Sequence, residues 1–273
     1  MNIITKLLCS AACLAATSVS AKDLEVTHWW TSGGEAAAVS TLAKAFNEKT
    51  DHNWIDGAIA GGGGTSIPAI ISRIIGGEPM GATQLNHGRQ AQELIEAGMM
   101  TDLTEIAEAQ GWRDIVNPVS LLDSCTVDGR VYCVPVNIHS AQWLWVSHGA
   151  FEKAGLAIPK NWDEFVAGSA ELEKNGIVPL AMGQQGWQQS IAFGALVLGV
   201  VGVDKFLEVT GDKNAEVAAG PEWTRAFQSV ANARELARKS KVQDWNLATN
   251  MVITDTAGGQ IMGDWAQGEF QVA

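Results

Sequence analysis

The chain has 273 residues, 18 lysines and arginines against 30 acids, and a formal net charge of −12. A balance this acidic repels nucleic acid and anionic membrane surfaces, and no basic cluster offsets it. Eleven tryptophans against one tyrosine is the compositional oddity: part of that indole must serve something other than a core.

The first residues read as an export signal. Lys6 is the lone charge, Leu7 to Ala16 is mostly apolar and small, and Val19-Ser20-Ala21 fits a small-x-small cleavage site. Cleavage after Ala21 makes Lys22 the mature N-terminus and predicts a periplasmic protein. The 21 residues removed carry one lysine and no acid, so 252 of the 273 residues remain and the net charge moves from −12 to −13. That length permits one large domain or two modest ones. A lipidation reading of Cys13 fits less well, because Ser10 stands where such a signal has a leucine. The apolar run is too short to span a bilayer as an anchor.

Strand and helix patterns then alternate, which predicts an α/β fold. Leu24 to His28 reads as a strand that ends in Trp29-Trp30. From Glu35 to Lys49 the residues Val39, Leu42, Ala43 and Phe46 share one helical face. Asn53 to Ala60 reads as a second strand. Gly61 to Gly64 follow, with Thr65 or Ser66 as the cap of a helix to about Ile75. Thr83 to Leu85 reads as a short strand, and Gly88 to Ala97 as a helix stopped by Gly98. Cys125 and Cys133 flank Val127-Asp128-Gly129-Arg130. A hairpin with a three-residue loop centred on Gly129 sets them opposite each other, and an oxidising compartment makes them a disulfide. Two cysteines alone supply too few ligands for zinc.

Val134 to Val146 is an apolar stretch suited to crossing between lobes. Ile191 to Val203 is short and broken by Gly194, Gly199 and Gly202, so it reads as a core helix. Asn161 and Glu164 have capping-box spacing. Pro221 opens a long helix with Trp223, Ala226, Phe227, Val230 and Ala231 on one face. Gln260 to Met262 reads as a late strand. Glu269 to Ala273 looks like the start of another strand with no terminator behind it, which predicts that the sequence is a fragment.

Trp112, Trp162 and Trp223 lie on or beside helical patterns and read as core. Trp29, Trp30, Trp187 and Trp265 stand at strand ends or in loops beside Gly, Gln, Asp or Glu. Such indoles suit a ligand platform. A sugar ring offers a C–H face to indole, and its rim hydroxyls need planar polar partners. Glu35 is one candidate acceptor, or a helix-start acid that complements the dipole. Gln84 and Asn86 sit at the end of the third strand, where open α/β sheets bind ligands, and His87 stands beside them. Asp264 either bonds a hydroxyl or caps its turn. Glu35 with Asp264 could also form a glycosidase pair. Gly61 to Gly64 lacks the Gly-Lys-Ser/Thr ending of a phosphate loop. The histidines show no metal spacing, so neither metal nor cofactor is expected.

Four segments in order carry a family resemblance: Trp29-Trp30-Thr31-Ser32-Gly33-Gly34-Glu35, the Ala60-to-Gly64 loop, Val134-to-His139 with Trp143-Leu144-Trp145, and Ile261-to-Ala266. Together they resemble the extracellular solute-binding proteins of bacterial ABC sugar importers, and among these the glucose- and mannose-type. The resemblance implies two α/β lobes joined by hinge crossovers, lobe I over 22–136 and lobe II over 137–273, with a sugar in the cleft. It implies a monomer that hands its sugar to a membrane permease and ATPase complex. By position, Trp29 and Trp30 match the family's tryptophan pair, and Glu35 its hydroxyl-binding acid. Gln84 takes a cleft position, and Trp265 matches the stacking tryptophan of the second lobe. Asn86 departs from the basic side chain of close relatives. Family members run past Ala273 with a portion that returns to the first lobe and brings further ligands. An exported glycosidase and a sugar-sensing module for a receptor are the alternatives.

Overall fold

The computed structural model describes residues 22–86 and 89–273; the proposed signal and His87 lie outside them. The first unit runs β1 (Asp23–His28), α1 (Gly33–Lys49), β2 (Asn53–Ala58), α2 (Gly63–Ile75), β3 (Ala82–Thr83) and α3 (Arg89–Glu96). Its sheet is parallel in the order β2-β1-β3, with β1 central. Arg73 of α2 grips Glu25 of β1 with both terminal nitrogens, at 2.5 and 2.9 Å. That bidentate bond holds the Glu25 carboxyl below its usual range and fixes the helix on its strand.

Three short helices follow, α4 (Thr104–Ala109), α5 (Trp112–Ile115) and α6 (Ser120–Asp123), and then the hairpin β4 (Thr126–Val127) and β5 (Arg130–Val131). The expected three-residue loop is a two-residue one. Val127 pairs with Arg130, and Asp128 and Gly129 both take positive φ, at 50° and 77°. This is the Asp-Gly turn that matches strand twist. The register is shifted by one, so Tyr132 N donates to Cys125 O. Cys125 and Cys133 are still close enough, 5.1 Å between Cα atoms, and form the predicted disulfide.

Residues 132–142 cross to the second unit without regular structure. There β6 (Trp143–Val146), α7 (His148–Lys153), α8 (Trp162–Lys174), β7 (Val178–Ala181), α9 (Gly186–Val201), α10 (Val203–Thr210), α11 (Ala215–Ala218), α12 (Pro221–Leu236), α13 (Trp245–Ile253), β8 (Ala257–Met262) and α14 (Ala266–Val272) follow. The sheet order is β6-β8-β7, antiparallel then parallel. Every residue of β8 is buried. Its small residues admit what covers them: a Cβ on Gly259 would stand 2.5 Å from Trp145 O and 2.9 Å from the Phe165 ring. Phe151, Phe165, Leu172 and Leu180 form the core on that sheet. The architecture is the α/β two-lobe one expected.

Three local expectations are corrected. The helix after the glycine loop is capped by Gly62 at φ 68°, not by Thr65 or Ser66, because Ser66 Oγ donates to Gly62 O inside the first turn. The predicted strand at Glu269 to Ala273 is the helix α14, where Phe270 packs on Trp145, Trp245 and Met262. The box at Asn161 is reciprocal but displaced. Asn161 Oδ1 accepts from Glu164 N at 2.9 Å, while Glu164 reaches back to Lys160 N at 2.8 Å. Among the described residues no helix is long and apolar enough to cross a membrane.

The oxidised protein should show no free thiol from Cys125 or Cys133 on titration under denaturing conditions. Cys133→Ser should cost about 2–3 kcal/mol in urea unfolding, the loop-closure value for so short a loop.

Candidate functional site

A parallel strand delivers its C-terminal end to a loop, and in open α/β sheets those loops gather at one edge. Here β1 runs into Trp29 to Ser32, and β2 into Ala60 to Gly62. Trp29, Thr31 and Ser32 from the first and all three of the second line one cleft with Glu35 at the start of α1. The opposite wall comes from the second unit: Gln185 at the start of α9, and Asp244, Trp245 and Asn246 at the start of α13. The cleft encloses about 100 Å³.

Glu35 is the electrostatic centre. Ser32 Oγ donates to Glu35 Oε2 at 2.9 Å, and Ser32 N donates to the same oxygen at 3.4 Å. Burial is the main influence and pushes the carboxyl above its ordinary value; the bonds from Ser32 oppose the rise and the nearby Glu269 adds to it.

The glycine loop lies between two indoles. A Cβ on Gly63 would stand 3.7 Å from the Trp29 ring, and one on Gly62 would stand 3.4 Å from Trp187 Nε1 of the other lobe. Positive φ at Gly61 and Gly62 makes this turn possible. Across it, Gln185 is held at four points. Its Oε1 accepts from Trp187 Nε1 at 2.7 Å and from Gln188 Nε2 at 3.1 Å; its Nε2 donates to Asp244 Oδ1 at 2.9 Å and to Gly61 O at 3.4 Å. Trp245 is fixed from behind, since the fully buried Gln260 donates to its carbonyl at 2.9 Å.

Of the residues singled out from sequence, Trp29 and Glu35 line the cleft. Gln84 braces it instead: Gln84 Oε1 accepts from Trp29 N at 3.1 Å. Trp30 is half-buried, with its N–H on His28 Nδ1 at 3.2 Å. Asn86 is exposed, and its N–H donates to Gln90 Oε1. Asp264 has both oxygens engaged on the crossing segment, Oδ1 with His139 Nδ1 at 2.8 Å and Oδ2 with Ser140 N at 3.1 Å. It is not among the residues that line the cleft with Glu35. Trp265 lies edge-on to His139 at 4.9 Å and tilted to Trp187 at 6.3 Å. A Cβ on Gly263 would collide with its ring, at 2.0 Å.

Sequence reasoning missed Gln185, Asp244, Trp245 and Asn246. The acid beside an indole at Asp244-Trp245 repeats the Asp264-Trp265 pattern, and it was the available signal.

The chain matches the family model of bacterial extracellular solute-binding proteins over residues 30–273, and it belongs to that family. It is 38% identical over 264 residues to a probable sugar-binding periplasmic protein of Rhizobium meliloti, covering 96% of this chain and 63% of that one. It is 38% identical over 251 residues to a protein of the same description from Brucella melitensis, covering 91% and 59%. The chain thus spans about three-fifths of the length of these relatives. A chitin oligosaccharide binding protein shares the fold at a TM-score of 0.71 and 16% identity, over 90% of this chain and 63% of that one. An ABC transporter solute binding protein from Thermotoga lettingae, bound with alpha-D-tagatose, does so at 0.66 and 17%, over 90% and 63%.

Because the folded Glu35 carboxyl lies above its unfolded value of 4.5, its charge costs stability at high pH and nothing once both states are protonated. Glu35→Gln removes that cost. In urea unfolding across a pH series, the variant's stability relative to the parent should rise as pH climbs from about 4.5 through the folded pKa, then level off. A flat difference would mean that Glu35 carries no buried charge.

Proposed function

We propose that this chain belongs to a periplasmic sugar-binding protein that captures a monosaccharide, glucose or a similar aldohexose, and presents it to the permease and ATPase of an ABC importer. The observation that carries the reading is the composition of the cleft. Indoles from both lobes, Trp29 and Trp245, stand beside the planar polar groups of Glu35, Asp244 and Gln185. Indole takes the C–H face of a sugar, and carboxylates and amides take its hydroxyls. The sugar-binding names of the Rhizobium and Brucella relatives support the same class of ligand.

The mechanism is capture and not catalysis. Asp264, bound at both oxygens, acts as a staple between the end of β8 and the crossing segment. Lobe I over 22–136 and lobe II over 137–273 then move about that crossing, a hinge closure of the binding-protein type. Small-molecule sites hold about 300–1,000 Å³, so a cleft of about 100 Å³ is one that opens to admit its ligand. Trp30, Gln84 and Asn86 support this wall from behind or at its margin, and Trp265 extends the aromatic floor through Trp187. In this reading a signal cleaved after Ala21 delivers the protein to the periplasm, where it works as a monomer.

Calorimetry of the full-length protein against hexoses, pentoses and disaccharides should give a saturable signal with an aldohexose at micromolar concentration, with a change in tryptophan fluorescence. Silence across the panel would reject the reading. Trp29→Ala should weaken uptake about tenfold or more through loss of ring stacking, with an unchanged far-UV spectrum.

A further inference from the structure

The Gly33-Gly34 pair beside Glu35 has no part in the sugar reading so far. In the structure it is the floor of a contact from the other lobe. A Cβ on Gly34 would stand 2.7 Å from Gly268 Cα, a backbone atom of α14. A Cβ on Gly268 would in turn stand 3.0 Å from Gly34 Cα. Two chains approach this closely only where neither has a side chain. Through that gap Glu269 Oε1 accepts from Gly34 N at 3.1 Å. Its two oxygens also lie 3.6 and 3.7 Å from where a Gly33 side chain would start.

Helix physics explains the fit. The first N–H groups of a helix have no partner within it; at the start of α1 the reciprocal box between Ser32 and Glu35 serves the ends of that turn and leaves the Gly34 N–H to another acceptor. An acid from the second lobe takes one of them, in the region where the helix field favours negative charge. The acid is firmly mounted, because Phe270, next to Glu269, is packed on Trp145 in the second lobe.

We propose that Glu269, reaching across Gly268 onto Gly33 and Gly34, is a positioning residue. It clasps the helix end that carries Glu35 to the second lobe, and ligand affinity depends on that clasp. The affinity part rests on the reading of Glu35 as a cleft ligand; the clasp itself does not.

The test uses Glu269→Ala, Glu269→Gln and Gly268→Ala in the full-length protein, with D-glucose as the sugar. Without sugar, Glu269→Ala should speed hydrogen exchange at the Gly34 amide about tenfold, the loss of one charge-assisted bond, and should enlarge the radius of gyration in small-angle scattering. Gly268→Ala should do the same by pushing the two backbones apart. Glu269→Gln keeps an acceptor oxygen, so both readings should stay near the parent's. Its loss of charge should still lower the Glu35 pKa read by carbon NMR, a change that a purely structural role would not produce. With D-glucose, Glu269→Ala should bind about tenfold more weakly and Glu269→Gln nearly as the parent does. Unchanged Gly34 exchange and scattering in Glu269→Ala would overturn the clasp, as would a Gln variant as impaired as the Ala one. If the parent takes up no hexose, the sugar reading fails while the sugar-free measurements still decide the clasp.

Discussion

The cost of taking the Glu35 carboxylate out of water governs how the cleft is built. A fully buried, uncompensated charge costs several kcal/mol and the half-buried Glu35 a fraction of that, while a charge-assisted hydrogen bond returns about 1.5–3 kcal/mol. Ser32 supplies two bonds to one oxygen and the start of α1 supplies a favourable field, yet the carboxyl remains pushed up. On the proposed sugar reading, the residual deficit is what a neutral ligand with vicinal hydroxyls would offset. Such a ligand brings donors without bringing a charge that would itself need desolvation. An acidic chain repels anionic solutes at long range, which fits a neutral solute.

Positioning the carboxylate then falls to backbone and not to long side chains. Both inter-lobe approaches use glycine: Gly62 under Trp187, and Gly34 against Gly268. At each, a polar group from the second lobe meets a main-chain group of the first, Gln185 at Gly61 O and Glu269 at Gly34 N. Behind these contacts the second lobe is stiffened by buried amides. Gln188 and Gln260 are fully buried, and each bonds to backbone on the elements that carry Gln185 and Trp245. Fully satisfied buried amides of this kind fix one arrangement, because any other leaves a donor unpaired.

Much of this was legible in the sequence, and the limits have physical causes. The alternation of strand and helix, the strand that ends in Trp29, the helix that begins near Glu35 and the disulfide all follow from local pattern and were read correctly. The hairpin register was not, because Asp128-Gly129 supports a two-residue turn as readily as it sits in a three-residue loop. The end of the chain was misread as a strand, since Glu269 to Ala273 is too short for periodicity to separate strand from helix. Of the cleft lining, Trp29 and Glu35 were visible in the sequence; on the second-lobe side Trp187, Asp264 and Trp265 were singled out, but Gln185, Asp244, Trp245 and Asn246 were not. Asp244 and Trp245 lie more than 200 residues from Trp29 in sequence, and only tertiary contact joins them. Asp264 shows how tertiary contact adds a role that residue type does not reveal. Its residue type suited a ligand, and in the fold its two oxygens also meet His139 and Ser140 of the crossing segment.

The strength of the inter-lobe contacts bears on what the cleft can do. The two polar bridges, at 3.1 and 3.4 Å, contribute about 0.5–1.5 kcal/mol each on the usual scale for hydrogen bonds in water. Together they would bias closure by about 1–3 kcal/mol, which on these two contacts alone would leave an open form at roughly 0.6–16% of molecules. That is enough for a ligand to enter without waiting for a rare event. It is also small enough that, on the proposed reading, a ligand touching both walls would add decisively to closure. A much stronger clasp would hold the cleft shut at about 100 Å³ against its own ligand. A much weaker one would tax affinity by the fraction of molecules not yet closed. Glycine-mediated backbone contacts of modest strength fall between these limits, and they tie the approach of the second lobe to the helix end on which Glu35 sits.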